Sequence, residues 1–128
     1  MTNYYGYPAT GTGTVASATE TVIMTTQIPD NREPLGLGVA ITGMINFVSA
    51  TGTQTATIRV RQGTGTTGAV IGTALVVATS TGAPVNYPFM VIDQTGTYPL
   101  TQYSCTMINN SAIGTVNYAA MSAQALGE

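Results

Sequence analysis

The chain has 128 residues, a formal net charge of −2 and only 6% charged side chains, with no Lys and no His. That length makes one domain large enough to bury a core. The weak charge excludes electrostatic steering toward nucleic acid or a membrane surface, and the missing His excludes Ser–His and Cys–His nucleophilic machinery.

Apolar residues make up 44% of the chain, beside 24 Thr and 15 Gly. Disordered chains lack that apolar content, and β-branched Thr suits a pleated surface. Residues 1–17, rich in Tyr, Gly and Thr, read as an extended N-terminal arm. They lack the basic and apolar regions of a signal peptide. The domain proper is expected over 18–128. Its first run, 19–28, sets Val22, Met24 and Ile28 on one face, and Asp30, Asn31 and Pro34 then make a turn. The clearest alternation follows: Leu37, Val39, Ile41, Ile45 and Phe47, with Gly43 marking a bulge or a close backbone approach. In 55–62, Ala56, Ile58 and Val60 face one way and Thr57, Arg59 and Arg61 the other. After the loop GTGTTG come strand-like runs at 69–79 and 85–93. Pro88 removes a ladder donor from the second of these and sends it to a sheet edge or a bulge.

Residues 97–108 form the next run. In the tail, Val116, Tyr118 and Ala120 alternate with Asn117, Ala119 and Met121. The tail also has helical propensity, and is assigned as a strand because a sandwich needs a closing partner for its first strand. Elsewhere no window carries the helical period, and the most apolar windows are too short and too broken to cross a bilayer as helices. Seven strands, or eight if part of the arm pairs, predict an all-β fold: an antiparallel β-sandwich of jelly-roll type.

Few residues offer chemistry. Asp30, Glu33 and Asp93 are thin for a Ca²⁺ site, which takes about six to eight oxygens, and read as turn carboxylates first. Cys105 is the single cysteine, so no intrachain disulfide forms, and it reads as a small buried hydrophobe. GTGTTG has no Lys and precedes no helix, which discards a phosphate loop. Arg59 and Arg61 have three readings: a solvated strand face, a bidentate pair with an acid of a neighbouring subunit such as Glu20 or Asp93, or a nucleic-acid contact. Two Arg in a net acidic chain make the last the weakest. Tyr4, Tyr5 and Tyr7 read either as a disordered terminus or as a sticky segment that contacts a capsid. Tyr98, Tyr103 and Tyr118 line a subunit interface or are ordinary core and rim aromatics.

The motif order resembles the tumour-necrosis-factor-like jelly roll of trimeric phage and viral structural proteins. Thr57, Arg59, Arg61 and Gly63 match a strand that leads into a Gly/Thr loop. Asp93, Gly96, Thr97, Tyr98 and Leu100 match a strand end and the turn after it. The likeness covers roughly 19–126 and carries patterns of a fold, not of a reaction. It implies a homotrimer in a virion, assembled in the host cytoplasm. The expected role is a decoration or cement protein bound to the major capsid protein or another virion protein, with the arm as tether. The alternative is a receptor- or glycan-binding head of a fibre or spike. No catalytic residue, cofactor or metal is expected, and no nucleic acid or membrane partner.

Overall fold

The computed structural model describes residues 6–28, 38–51, 54–94, 101–110 and 112–125. These form eight strands and, among the described residues, no helix. The strands are β1 (Gly6–Val15), β2 (Thr21–Ile28), β3 (Val39–Ser49), β4 (Thr55–Gln62), β5 (Leu75–Ala78), β6 (Val85–Asp93), β7 (Thr101–Asn109) and β8 (Gly114–Ala125).

Their pairing is nested. β4 pairs with β5, β3 with β6, β2 with β7 and β1 with β8, all antiparallel. The chain is thus one long hairpin, and further pairings of β3 with β8 and β4 with β7 roll it up. The product is two four-stranded sheets, ordered β1-β8-β3-β6 and β2-β7-β4-β5. That order, with two Greek keys closing on each other, is a jelly roll.

Period two drives the collapse. Val39, Ile41, Ile45 and Phe47 turn inward from β3 and are fully buried, and Ala56, Ile58 and Val60 meet them from β4. Tyr103, Cys105 and Met107 of β7 complete the middle of the sandwich. Each large side chain buried this way contributes roughly 1.5–3 kcal/mol. Gly43 is a close approach, not a bulge. A Cβ there would lie 2.5 Å from the Ala120 carbonyl oxygen and 2.5 Å from Cζ of Phe89, its cross-strand partner, whose ring fills the space. Pro88 lies in β6, an edge strand, where a missing donor is tolerated.

The structure corrects several expectations. Residues 6–15 of the expected arm form the eighth strand that the sequence left open, the edge strand β1, paired along β8 and anchored by fully buried Val15. Only 75–78 of the expected 69–79 strand pairs as β5. A bulge between Val22 and Met24 puts both Ile23 and Met24 in the core. A second irregularity sits in β8 opposite Asn46 and Phe47. It turns Val116, Ala119, Met121 and Ala123 inward, and leaves Asn117, Tyr118 and Ala120 on the outer face. The simple alternation read through Tyr118 therefore breaks at Asn117.

Candidate functional site

The Arg pair sits on the outer face of β4, and its partner comes from the same chain. Glu20, just before β2, accepts Arg61 Nε on Oε2 at 2.7 Å and Arg61 NH2 on Oε1 at 3.0 Å. Arg59 NH1 donates to Oε1 at 3.3 Å, and the Thr106 hydroxyl to Oε2 at 2.6 Å. The bidentate Arg61 bond is the main reason the Glu20 carboxyl is held below its ordinary range. Partial burial opposes this shift, and Thr106 and the two positive charges add to it. The same bond raises the Arg61 pKa.

Arg61 also donates through NH1 to the Gly68 carbonyl at 2.6 Å, and Ser104 Oγ donates to the Gly65 carbonyl at 2.8 Å. Glu20 and the 63–68 loop thereby cover the outer side of β7. Ser104 and Thr106 are fully buried there, although they point away from the core. The Arg pair is neither a plain solvated face nor, through Glu20, a contact with a neighbouring subunit. It clamps the β1–β2 connection and a loop onto β4 and β7.

A second polar group lies inside. The Tyr103 hydroxyl donates to Asp93 Oδ2 at 2.7 Å, and Gln62 Nε2 donates to the same oxygen at 3.2 Å. Asp93 is 2% exposed and Tyr103 fully buried, so Tyr103 is a core residue of its own chain and not an interface residue. Burial, then the bond to Asp93, pushes its phenol pKa up. Burial raises the Cys105 thiol to about 12, which keeps it protonated and unreactive.

The outer face of the β1-β8-β3-β6 sheet is different. Among the described residues it carries no Asp, Glu, Lys or Arg. Cross-strand rows run Ser122, Thr42, Met90 and Ala120, Met44, Pro88 across β8, β3 and β6. Met90 stands 67% exposed, Tyr118 49% and Ile92 45%. The short side chains Thr42, Ala120 and Ser122 leave a shallow depression of about 330 Å³ beside Met44. At one end an amide ladder crosses three strands: Asn46 Nδ2 donates to Asn86 Oδ1 at 2.7 Å, and Asn117 Nδ2 donates to Asn46 Oδ1 at 3.3 Å. Tyr118, opposite Asn46, flanks the ladder. Sequence reasoning singled out Tyr118 but missed Met90 and the asparagines, which come together only once strand order is known.

Tyr4, Tyr5 and Tyr98 lie outside the described residues, as do Asp30 and Glu33. Tyr7 lies in β1, opposite Ala123. Among the described residues no group of His, Cys, Asp and Glu is placed to hold a metal ion. No helix there is long and apolar enough to cross a membrane.

No family model and no curated protein matches the sequence. Solved structures do match its fold. A chain from the structure of the infectious bursal disease virus Gx strain aligns over 96% of this chain with a TM-score of 0.61 at 10% identity. The VP2 subviral particle of infectious bursal disease virus aligns over 98% with a TM-score of 0.51 at 13% identity. This chain spans 33% and 38% of those two chains. A chain from Bacillus endospore appendages, described as disulfide-linked pili, aligns over 97% of this chain and 92% of its own, with a TM-score of 0.44 at 18% identity. The class so defined is the eight-stranded jelly roll, shared with viral particle domains.

Proposed function

We propose that the protein is a non-enzymatic structural subunit of a virus particle that associates with copies of itself and with a larger virion protein. The observation that carries this reading is the uncharged outer sheet face, with Met90, Ile92 and Tyr118 exposed on it. Such a face binds through area and shape. The likeness to the subviral-particle fold supports the virion setting, and the sealed thiol and fully engaged Glu20 support the absence of chemistry. The finer role is a decoration or cement protein, in the trimeric order that the sequence resemblance implies. With β1 in the sheet, the tether to the major capsid protein falls to residues 1–5, Tyr4 and Tyr5 among them. Light scattering on the purified chain tests association, and immunogold electron microscopy of particles from its source tests location. A label on the virion surface is expected; unlabelled virions refute the reading.

One observation favours a second reading, a glycan-binding head. Tyr118 beside the Asn46–Asn86–Asn117 ladder offers an aromatic face and neutral amides, which suit a neutral sugar. Glycan-array binding lost in Tyr118→Ala would support it.

A further inference from the structure

We propose that the outer face of the β1-β8-β3-β6 sheet seats a second copy of this chain, with Met90 of each copy entering the depression beside Met44 of the other. This rests on the self-associating reading above and names the surface that performs it.

Three observations select a second copy as the occupant. The first is shape. The face presents a projecting side chain and a recess side by side, since Met90 is the direct cross-strand partner of Thr42, which lines the depression. One copy therefore has both halves of a reciprocal fit, as an isologous contact requires. Met is also the side chain that best adapts to an irregular hollow.

The second is charge. Each copy is net negative, so two copies meet at least cost where neither carries charge. The described ionised side chains all lie elsewhere: Glu20, Arg59 and Arg61 on the opposite sheet, and Asp93 inside. An uncharged face offers a charged partner no complementarity.

The third is area. Four strands about 4.8 Å apart and about ten residues long make a flat footprint of about 600 Å² before side-chain relief is added. A standard stable interface takes about 800 Å² of accessible surface per partner, a size this face reaches only as a whole and with its side-chain relief included. At its end the ladder leaves Asn86 Nδ2 and Asn117 Oδ1 unused within the ladder itself, a donor and an acceptor for a polar rim. Reciprocal seating pairs copies about a two-fold axis. It coexists with a trimer only as the contact between trimers.

The test uses the full chain and two variants, Met90→Lys and Ala120→Glu, with folding checked by circular dichroism melts. Both positions point outward, so both variants should fold; Thr42→Glu, in the same depression, replaces Ala120→Glu if that one does not. Light scattering should show the wild type in even-numbered assemblies. Each variant alone should associate about a hundredfold or more weakly, because an unpaired charge enters an apolar contact. Mixing the two variants should restore pairing, since the ammonium introduced in one copy then meets the carboxylate introduced in the other while the second half-site keeps its native residues. Val76→Lys, at a 62% exposed position on the other sheet, should leave the mass unchanged. A wild type that associates while both face variants associate equally well overturns this surface and leaves self-association standing. A wild type that stays monomeric at every concentration overturns self-association itself. Tyr118-dependent binding of a neutral glycan by that monomer assigns the face to a sugar instead.

Discussion

Replacing Glu20 by Gln removes one charge and little else, so it isolates the clamp. The carboxylate accepts bidentate bonds from Arg61, one from Arg59 and one from Thr106, with its side chain 17% exposed and those of Arg61 and Arg59 at 15% and 28%. Gln offers one acceptor oxygen and turns an NH₂ group toward the donors. A hydrogen bond to a charged group is worth about 1.5–3 kcal/mol, and residual exposure discounts the pair, which leaves a cost of about 2 kcal/mol at neutral pH. At roughly 3–5 °C per kcal/mol for a domain of this size, the melting temperature should fall by about 6–10 °C. The pH dependence gives an independent check. The folded pKa of Glu20 is depressed, so its contribution is present above the unfolded value near 4.5 and is lost as pH falls through the lower folded value. Urea unfolding of both proteins, followed by circular dichroism, should therefore show a gap at neutral pH that closes in acid. A gap below about 0.5 kcal/mol at neutral pH, or one that stays constant into acid, refutes the clamp as a source of stability.

Arg61→Lys keeps the charge but loses the planar fork to Glu20 and the bond to Gly68; amide hydrogen exchange across 63–68 should quicken, with a stability loss of about 1–2 kcal/mol in urea. Stability should hold up to pH 9 and decline above it: the Cys105 thiol is raised from 9.0 to about 12 and the Tyr103 phenol is raised from 10.0, so above those ordinary values the unfolded chain ionises while the fold keeps both groups neutral. Cys105→Ala and Tyr103→Phe should each flatten that alkaline limb in thermal melts. Gly43→Val should cost about 1–3 kcal/mol or more, and Phe89→Ala should not rescue it, because the Ala120 backbone oxygen blocks the same space. Deleting residues 1–17 should unfold the protein in a melt, since it removes β1 and Val15, whereas deleting 1–5 should leave the melt unchanged and report on tethering alone.

Strands with an unbroken stripe were legible in the sequence at the level of single residues. The runs at 55–62 and 85–93 match β4 and β6, because Ala56, Ile58 and Val60, and then Tyr87, Phe89 and Val91, mark an inner face without interruption. Of the edge or bulge that Pro88 implies, the edge is what forms, and the strand assignment of the tail agrees with β8 lying between β1 and β3. Where a bulge intervenes the stripe changes side, and nothing in VIM at 22–24 or VNY at 116–118 announces the slip. The sequence of β1 reads as an arm, with pairing of part of it left open, because Gly, Thr and Tyr give it almost no apolar stripe; its place is fixed by β8, which a local window does not contain. The same limit hid the candidate surface. Thr42, Met90 and Ala120 are far apart in the chain and become neighbours only through the nested pairing. Glu20 was named as a partner for the Arg pair, but whether it came from the same chain or another depended on the path of the β1–β2 connection, which has no local code.

The pairing of Gly6 with Gln124 has a consequence for biogenesis. Of the eight strands, β1 is made first and finds its neighbour only when β8 has emerged, so the sandwich stays open until the last of its own strands is made. Until then the outer edge of β3 lies open to any other extended chain, in a crowded cell making many copies at once. Permuted genes that join the two ends and open the chain between β4 and β5 would place β1 and β8 next to each other from the start. Faster folding and fewer inclusion bodies should be their signature.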